Sequence, residues 1–314
     1  MIPIFGVDPI IVWIGFFVIV FLILALDLGV FHRKSREVSL KEAILWTIVM
    51  FAFAMGFALF VWQNMGTDSG LNFITGYLVE FSLSIDNMFV FILIFTTFGI
   101  HAKFQHRVLY WGIIGALVMR GIFIYLGLTL VNEFEWVFLV FAAILMYGAY
   151  KIEFKKDEKF NPDTNLVVRL ARKMFPVAHR PDEQHFFTKE NGRRAITVLF
   201  LSLIVIEMSD VIFAFDSVPA IFGITTDPFI VFTSNVFAIL GLRSLYFVFA
   251  KLHSTFNFLK DGVAIILVFI ACKLFLYPFG YRIPTPISLA VIVAILVTSV
   301  VASVLLKKTQ DAKS

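Results

Sequence analysis

Long apolar stretches recur from one end of this chain to the other, and they restrict its fold more than any other feature. Nine can be drawn, at residues 9–30, 42–62, 71–98, 106–129, 134–151, 195–222, 229–250, 261–278 and 285–306. Each is long enough to cross the hydrocarbon core of a bilayer, about 30 Å thick. No water is available there to satisfy backbone N–H and C=O groups, so each stretch must be helical. The expected fold class is all-α, a polytopic transmembrane bundle of about nine spans forming one integral membrane domain over residues 1–314. The first stretch begins near Asp8 rather than a basic cluster and ends in Leu-Asp-Leu-Gly-Val. It reads as a retained span and not as a cleaved signal. Charged residues make up only 15% of the chain, against about 25% in soluble proteins. The net charge of +4 is therefore no argument for nucleic-acid binding. A single cysteine, Cys272, excludes an intrachain disulfide and a cysteine-rich metal site.

The placement of basic residues orients the chain. With the N-terminus outside and the spans alternating, 22 of the 26 Lys and Arg fall in segments 31–41, 99–107, 151–194, 251–260 and 307–314. Those segments are then cytoplasmic, as the positive-inside rule requires. The opposite loops hold Arg282 as their one basic residue, beside Asp68, Glu133, Glu135 and Asp227. The N-terminus is expected outside and the C-terminus in the cytoplasm. The longest polar segment, 152–194, is expected to be a cytoplasmic loop joining two halves, with no separate soluble domain. Within it, Leu166, Leu170 and Phe175 lie among Arg169, Arg172 and Lys173. That pattern fits a helix lying on the inner membrane surface, or a solvated linker.

Six acids fall inside apolar spans: Asp27, Glu80, Asp86, Glu207, Asp210 and Asp216. A charge at the centre of a membrane helix costs about 2.5–3.5 kcal/mol on insertion scales. Five deep acids, left uncompensated, would cost on the order of 12–17 kcal/mol, as much as a fold is worth. They must be protonated, paired or metal-bound. Their spacing repeats. Glu80-Phe-Ser-Leu-Ser-Ile-Asp86-Asn87 and Asp210-Val-Ile-Phe-Ala-Phe-Asp216-Ser217 both read acid, five residues, Asp, small polar. Each span is followed by one with a single arginine, Arg120 or Arg243. The two motif spans run in opposite directions, which suggests an inverted-topology repeat of spans 2–4 and 5–7, an arrangement that places substrate at the midplane.

At 100° per residue Glu80, Ser84 and Asn87 share one face and Asp86 is turned about 120° from it. Asp216 is similarly turned from Asp210 and Ser217. Straight helices would not aim all these oxygens at one ion. Pro219 is expected to break the preceding turn and re-aim Asp216, and a matching distortion is expected near Asp86. Carboxylate, amide and hydroxyl oxygens are hard donors suited to Mg²⁺, Ca²⁺ or Mn²⁺. Met88 and Met208 flank the motifs and could bias such a site toward Mn²⁺, or simply pack. Glu207, one turn before Asp210, is a candidate ligand or proton carrier. Asp27 belongs either to the ion path or to a pair with nearby basic residues. Arg120 and Arg243 are expected to pair with acids. Lys273 is expected to snorkel or to stand in for an ion. The six histidines (His32, His101, His106, His179, His185 and His253) lie in or beside the cytoplasmic segments and read as surface residues.

Three stretches carry a family resemblance: Thr75-Gly-Tyr-Leu-Val-Glu-Phe-Ser-Leu-Ser-Ile-Asp-Asn87, Glu207-Met-Ser-Asp-Val-Ile-Phe-Ala-Phe-Asp-Ser-Val-Pro-Ala-Ile-Phe222, and residues 225–246, from Thr-Thr-Asp-Pro to Leu-Arg-Ser-Leu-Tyr. On these the chain resembles the TerC/Alx family of bacterial membrane proteins over about residues 10–306, most closely its Alx-type manganese exporters. The resemblance implies an inner-membrane transporter that exports Mn²⁺ and, through the family name, a link to tellurite resistance. It places metal-site residues at Glu80, Asp86, Asn87, Asp210, Asp216 and Ser217, adds Glu207, and sets the polar position of the seventh span at Asn235.

The expected function is thus export of a divalent cation, Mn²⁺ before Ca²⁺ or Mg²⁺, with the lipid bilayer as the other partner. No enzymatic activity, resident cofactor or nucleic-acid partner is expected. The sequence contains no GxxxxGK[ST] phosphate loop, so coupling to protons is favoured over ATP. A metal sensor that does not transport is the alternative. An intramembrane aspartyl protease is disfavoured, because the Gly-x-Gly-Asp element is missing and the arginines would have no role.

Overall fold

A computed structural model describes residues 9–31, 38–154, 161–162, 165–178, 185–190, 193–252 and 258–311. Within them are ten α-helices: α1 (Pro9–Phe31), α2 (Leu40–Met65), α3 (Thr67–Thr97), α4 (Ala102–Glu133), α5 (Val137–Phe154), α6 (Leu166–Met174), α7 (Val198–Phe222), α8 (Pro228–Leu252), α9 (Leu259–Leu276) and α10 (Thr285–Asp311). Eight of them are long and apolar enough to cross a membrane, and α1 adds an apolar stretch at Ile10–Ala25. Together they match the nine expected spans. Among the described residues the one sheet is an antiparallel hairpin, β1 (Phe187–Glu190) with β2 (Arg193–Ile196), paired Phe187 to Ile196 and Glu190 to Arg193.

Local chemistry sets the ends. Ser39 Oγ accepts from the Glu42 amide at the start of α2. Asp227 Oδ1 accepts from the amides of Phe229 and Ile230 at the start of α8. Both satisfy donors that a first helical turn leaves open. Thr197 Oγ1 accepts from the Phe200 amide and donates to the His185 carbonyl at 2.7 Å, tying the start of α7 to the polar segment. Gly66, with φ of +91°, is the sole residue between α2 and α3, a conformation that a side chain would strain.

The bundle is organised around α8, the most enclosed of the spans. It packs along α3, α2 and α4. The α4 helix lies along α7, α5 lies along α9, and α10 covers α3 and α9. This packing is nearest to two-fold when its units are α3–α5 and α7–α9, because α3–α8 then mirrors α4–α7, and α5 meets its counterpart α9. A boundary drawn one span earlier would pair α2 with α5, yet α2 lies along α8 while α5 barely meets α4. An aromatic stack of Trp13, Phe16, Phe57, Phe229 and Phe237 joins α1 and α2 to α8.

The helices are apolar on both their inner and outer faces, with residues such as Phe21, Leu45, Phe53 and Ile122 exposed. Water therefore does not drive their association in lipid, and close approach must do so. On α6, Val168 and Ala171 are buried against the bundle, while Leu166, Leu170 and Met174 form an exposed apolar stripe beside Arg169 and Lys173. That is the amphipathic helix expected of this segment. Two expected distortions do not occur: α3 is continuous through Asp86, and α7 is continuous through Pro219. Pro219 removes the bond to the Phe215 carbonyl, yet the turn beyond it stays closed, with the Gly223 amide donating to the Pro219 and Ala220 carbonyls and the Ile224 and Thr225 amides to Ile221.

A Cβ on Gly70 would meet Trp62 Cβ at 2.7 Å and its Cα at 3.0 Å, whereas one on Gly56 would meet nothing within 4 Å. Gly70→Ala should thus destabilise the protein by about 1–3 kcal/mol through overpacking, and Gly56→Ala should stay within about 0.5 kcal/mol of the parent. Thermal unfolding of the detergent-solubilised variants checks both.

Candidate functional site

The buried apolar residues form two clusters. One gathers α1, α2, α3 and α8 with the first halves of α4 and α7. The other gathers α5 and α9 with the second halves of α4 and α7. A polar layer lies between them. On α4 it falls at Arg120, between Ala116 of the first cluster and Ile124 of the second; on α7 it falls at Asp210, between Ile206 and Ala214. All four helices place their polar residue well inside the span.

At its centre the Arg120 guanidinium, 3% exposed, donates from Nη1 to Glu80 Oε1 on α3, itself 2% exposed. The same nitrogen donates to Asn235 Oδ1 on α8 at 2.6 Å. Asn235 is held in that orientation because its Nδ2 donates to the Val231 carbonyl at 3.0 Å. Arg120 also interacts electrostatically with Asp210 on α7, and Asp210 does so with Glu80 and Glu207. Four helices are joined by one cation and its acids. Glu80 Oε2, Asp210 Oδ1 and Ser217 Oγ are buried with no hydrogen-bond partner among the described residues. Each such oxygen costs about 1–3 kcal/mol unless something fills its lone pairs.

Beside the node lies a cavity of about 10 Å³, lined by Glu207, Asp210 and Arg243 with Gly112, Ile113 and Ile206. It is near the smallest size that admits one water. Glu207 is seated on Gly115 of α4, where a Cβ would collide with its carboxylate. Asp216 is seated on Gly148 of α5, where a Cβ would lie 3.0 Å from Oδ1. Two of the three acids of α7 thus occupy glycine notches on different neighbours.

The sequence-predicted residues sort accordingly. Glu80, Arg120, Asn235 and Asp210 converge, and Glu207 and Arg243 line the adjoining cavity. Asn87 is buried on α3. Asp216 and Ser217 do not join this group: Asp216 faces α5, and the six residues from Asp210 place it about 9 Å further along α7. Asp27 and Asp86 lie on α1 and α3, and their side chains fall outside the described residues. Among the described residues no group of three His, Cys, Asp or Glu is close enough to hold a metal, because Arg120 stands between the acids. Met88 is fully buried in the first cluster and Met208 points outward, so both pack and neither flanks an ion.

One further expectation needs correction. His106 is a buried residue of α4 and not a surface one, because α4 begins at Ala102, earlier than its apolar run, and brings His106 under the bundle. Lys273 lies in the last turn of α9, where its Nζ donates to Ser288 Oγ at 2.9 Å. His32, His179 and His253 lie outside the described residues. The glycine notches were not anticipated, although Gly112-Ile-Ile-Gly115 spaces two small residues along one helix face.

A family profile described as the integral membrane protein TerC family matches residues 65–311. An uncharacterized membrane protein of Myxococcus xanthus, STKORF319, is 46% identical over 293 residues, covering 93% of this chain and 92% of its own. An uncharacterized membrane protein of Rickettsia bellii is 40% identical over 95% of this chain and 99% of its own. The Alx protein of Escherichia coli K12, provisionally named a membrane-bound redox modulator, is 42% identical over 91% of both chains. No solved structure matches.

Removing one partner of a buried ion pair leaves the other stranded, at a cost of about 3–5 kcal/mol. Arg120→Met and Glu80→Leu should each destabilise by that amount, and the double variant should lose less than either one. A double-mutant cycle on thermal unfolding measures this, and additive losses would refute the pairing.

Proposed function

The chain belongs to the TerC family of integral membrane proteins, and on that footing we propose that it exports a divalent metal cation, Mn²⁺ before Ca²⁺ or Mg²⁺, from the cytoplasm of a bacterial cell across its inner membrane. The observation that carries this reading is the buried oxygen set of Glu80, Asp210 and Asn235, drawn from three helices onto one cation, the Arg120 guanidinium, midway through the bundle. A site that already holds one cation among hard oxygens can exchange it for another. The unfilled oxygens of Glu80 and Asp210 are the acceptors that a metal would occupy.

In this mechanism Mn²⁺ approaches from the side of the basic loops. Arg120 swings off Glu80, and the metal takes Glu80, Asp210 and Asn235, with Asp86 and Asn87, about 9–10 Å along α3, as the polar step on the cytoplasmic side. Glu207 sits beside the small cavity and carries the displaced proton. Asp216 and Ser217, about 9 Å along α7, form the next polar step toward the outside. Release follows when protons return to Asp210 and Glu207 and Arg120 re-pairs with the ionised Glu80. The pair acts as the metal-free latch, which removes the cost of bare acids in lipid. With the N-terminus outside and the C-terminus inside, the path runs from the basic face to the acidic one. The redox role in the name of the Escherichia coli relative has no support in thiol pairing, since Cys272 is the sole cysteine of this sequence.

Proteoliposome flux tests the reading. Asp210→Asn should abolish Mn²⁺ flux while the variant still elutes as a folded protein, as should Asp86→Asn and Asp216→Asn. Wild-type flux in Asp210→Asn would overturn the assignment. Ligand carboxylates must be deprotonated to bind, so Mn²⁺ affinity should fall as pH is lowered and rise as pH is raised. Flux compared for Mn²⁺, Ca²⁺, Mg²⁺ and Zn²⁺ at two pH values measures both selectivity and sign.

A further inference from the structure

A second polar pocket lies at the opposite end of the bundle from the basic loops, where α7 ends, α8 begins and α9 turns into α10. Its volume is about 240 Å³. Lys273 and Arg282 both line it, with the hydroxyls of Thr225, Thr226 and Tyr281, and no Asp or Glu lines it. Lys273 lies in the last turn of α9 and is buried. Its recorded hydrogen bond runs to a neutral acceptor, Ser288 Oγ, and no carboxylate among the described residues is within ion-pair distance of it. Two N–H donors of its ammonium remain. The Arg282 guanidinium is held over the Tyr277 ring, 5.1 Å from the centroid, which keeps it at the pocket's edge. The nearest acid in sequence, Asp227, is committed to capping α8. Thr225 Oγ1 accepts from the Asp227 amide at 3.1 Å, and its own O–H stays available to donate.

Two cations lining one pocket with no acid between them repel each other, and the burial of Lys273 strengthens that repulsion. The C-terminal end of α9 offers only partial negative charge. What the pocket supplies is a donor set: an ammonium, a planar guanidinium and several hydroxyls. That is the chemistry that recognises a phosphate group. We infer that this pocket binds a phosphate-type oxyanion between Lys273 and Arg282, either as the free ion or as the headgroup of an anionic phospholipid. The site is separate from the carboxylate layer and rests on no part of the transport reading. The pocket would repel a divalent cation, so it is not that ion's exit.

The full-length protein in detergent tests this. Equilibrium dialysis with radiolabelled inorganic phosphate reads the free ion. Native mass spectrometry after exposure to phosphatidylglycerol reads the headgroup. Lys273→Met and Arg282→Gln should each weaken whichever ligand binds by about tenfold or more. Arg282→Gln alters an exposed side chain, so it remains a usable test if Lys273→Met fails to fold. Asp210→Asn should leave this binding unchanged even if it abolishes metal flux. Phosphate bound in dialysis and lost in Arg282→Gln supports a free-ion site. Phosphatidylglycerol retained by the parent and lost in that variant supports a lipid site. Neither ligand bound by the parent, or binding unchanged in Arg282→Gln, overturns the proposal.

Discussion

The contact between Arg120 and Glu80 governs the rest of this structure. Lipid offers these groups no water, so every ionised side chain in the bundle must find its counter-charge within the protein. Arg120 does this for Glu80 directly and for Asp210 at longer range, and Asn235 Oδ1 accepts from the same nitrogen. Helices α3, α4, α7 and α8 can therefore converge only where these four residues sit. On α4 and α7 the two apolar clusters meet at that level, while on α3 and α8 the first cluster runs past Glu80 and Asn235 on both sides. In the arrangement present the guanidinium sits among the acids; the transport reading proposed above adds a second, with a metal cation in its place.

The fold was largely legible because membrane helices obey a simple solvent rule. Apolar runs of about twenty residues produced α1 to α5 and α7 to α10 within a few residues of where they lie, and the few charges inside those runs were too sparse to break them. The hairpin β1–β2 was also open to reading, since its strands flank Asn191-Gly192, the strongest short signal for a tight turn. It was overlooked inside a segment that otherwise read as linker. His106 was misread for a similar reason: apolar runs mark where lipid lies and not where a helix begins.

The site was legible in its membership and not in its geometry. An acid inside a span announces itself by its cost, so Glu80, Glu207, Asp210 and Asp216 stood out. Which of them meet depends on how neighbouring helices are rotated, and no spacing within one helix determines that. Asp210 and Asp216 illustrate the point. The motif put them together, but the turn between them sends one toward α4 and the other toward α5. The anticipated remedy, a helix broken at Pro219, does not occur: one lost bond at Phe215 is outweighed by the closed and buried last turn of α7.

Glycine supplies what the broken helix would have supplied. In lipid, helices gain from close approach more than from hiding apolar surface, so a missing side chain is a place where another group can enter. Gly115 admits the Glu207 carboxylate to α4, and Gly148 admits Asp216 to α5. Each acid sits between helices without any local unwinding. Both are carried on α7, so a rotation or slide of α7 moves them together: as Glu207 leaves its notch on α4, Asp216 must also leave its notch on α5. A rigid helix with two seated carboxylates can thus link the polar layer to the step beyond it, which a pair of independently flexible segments could not do.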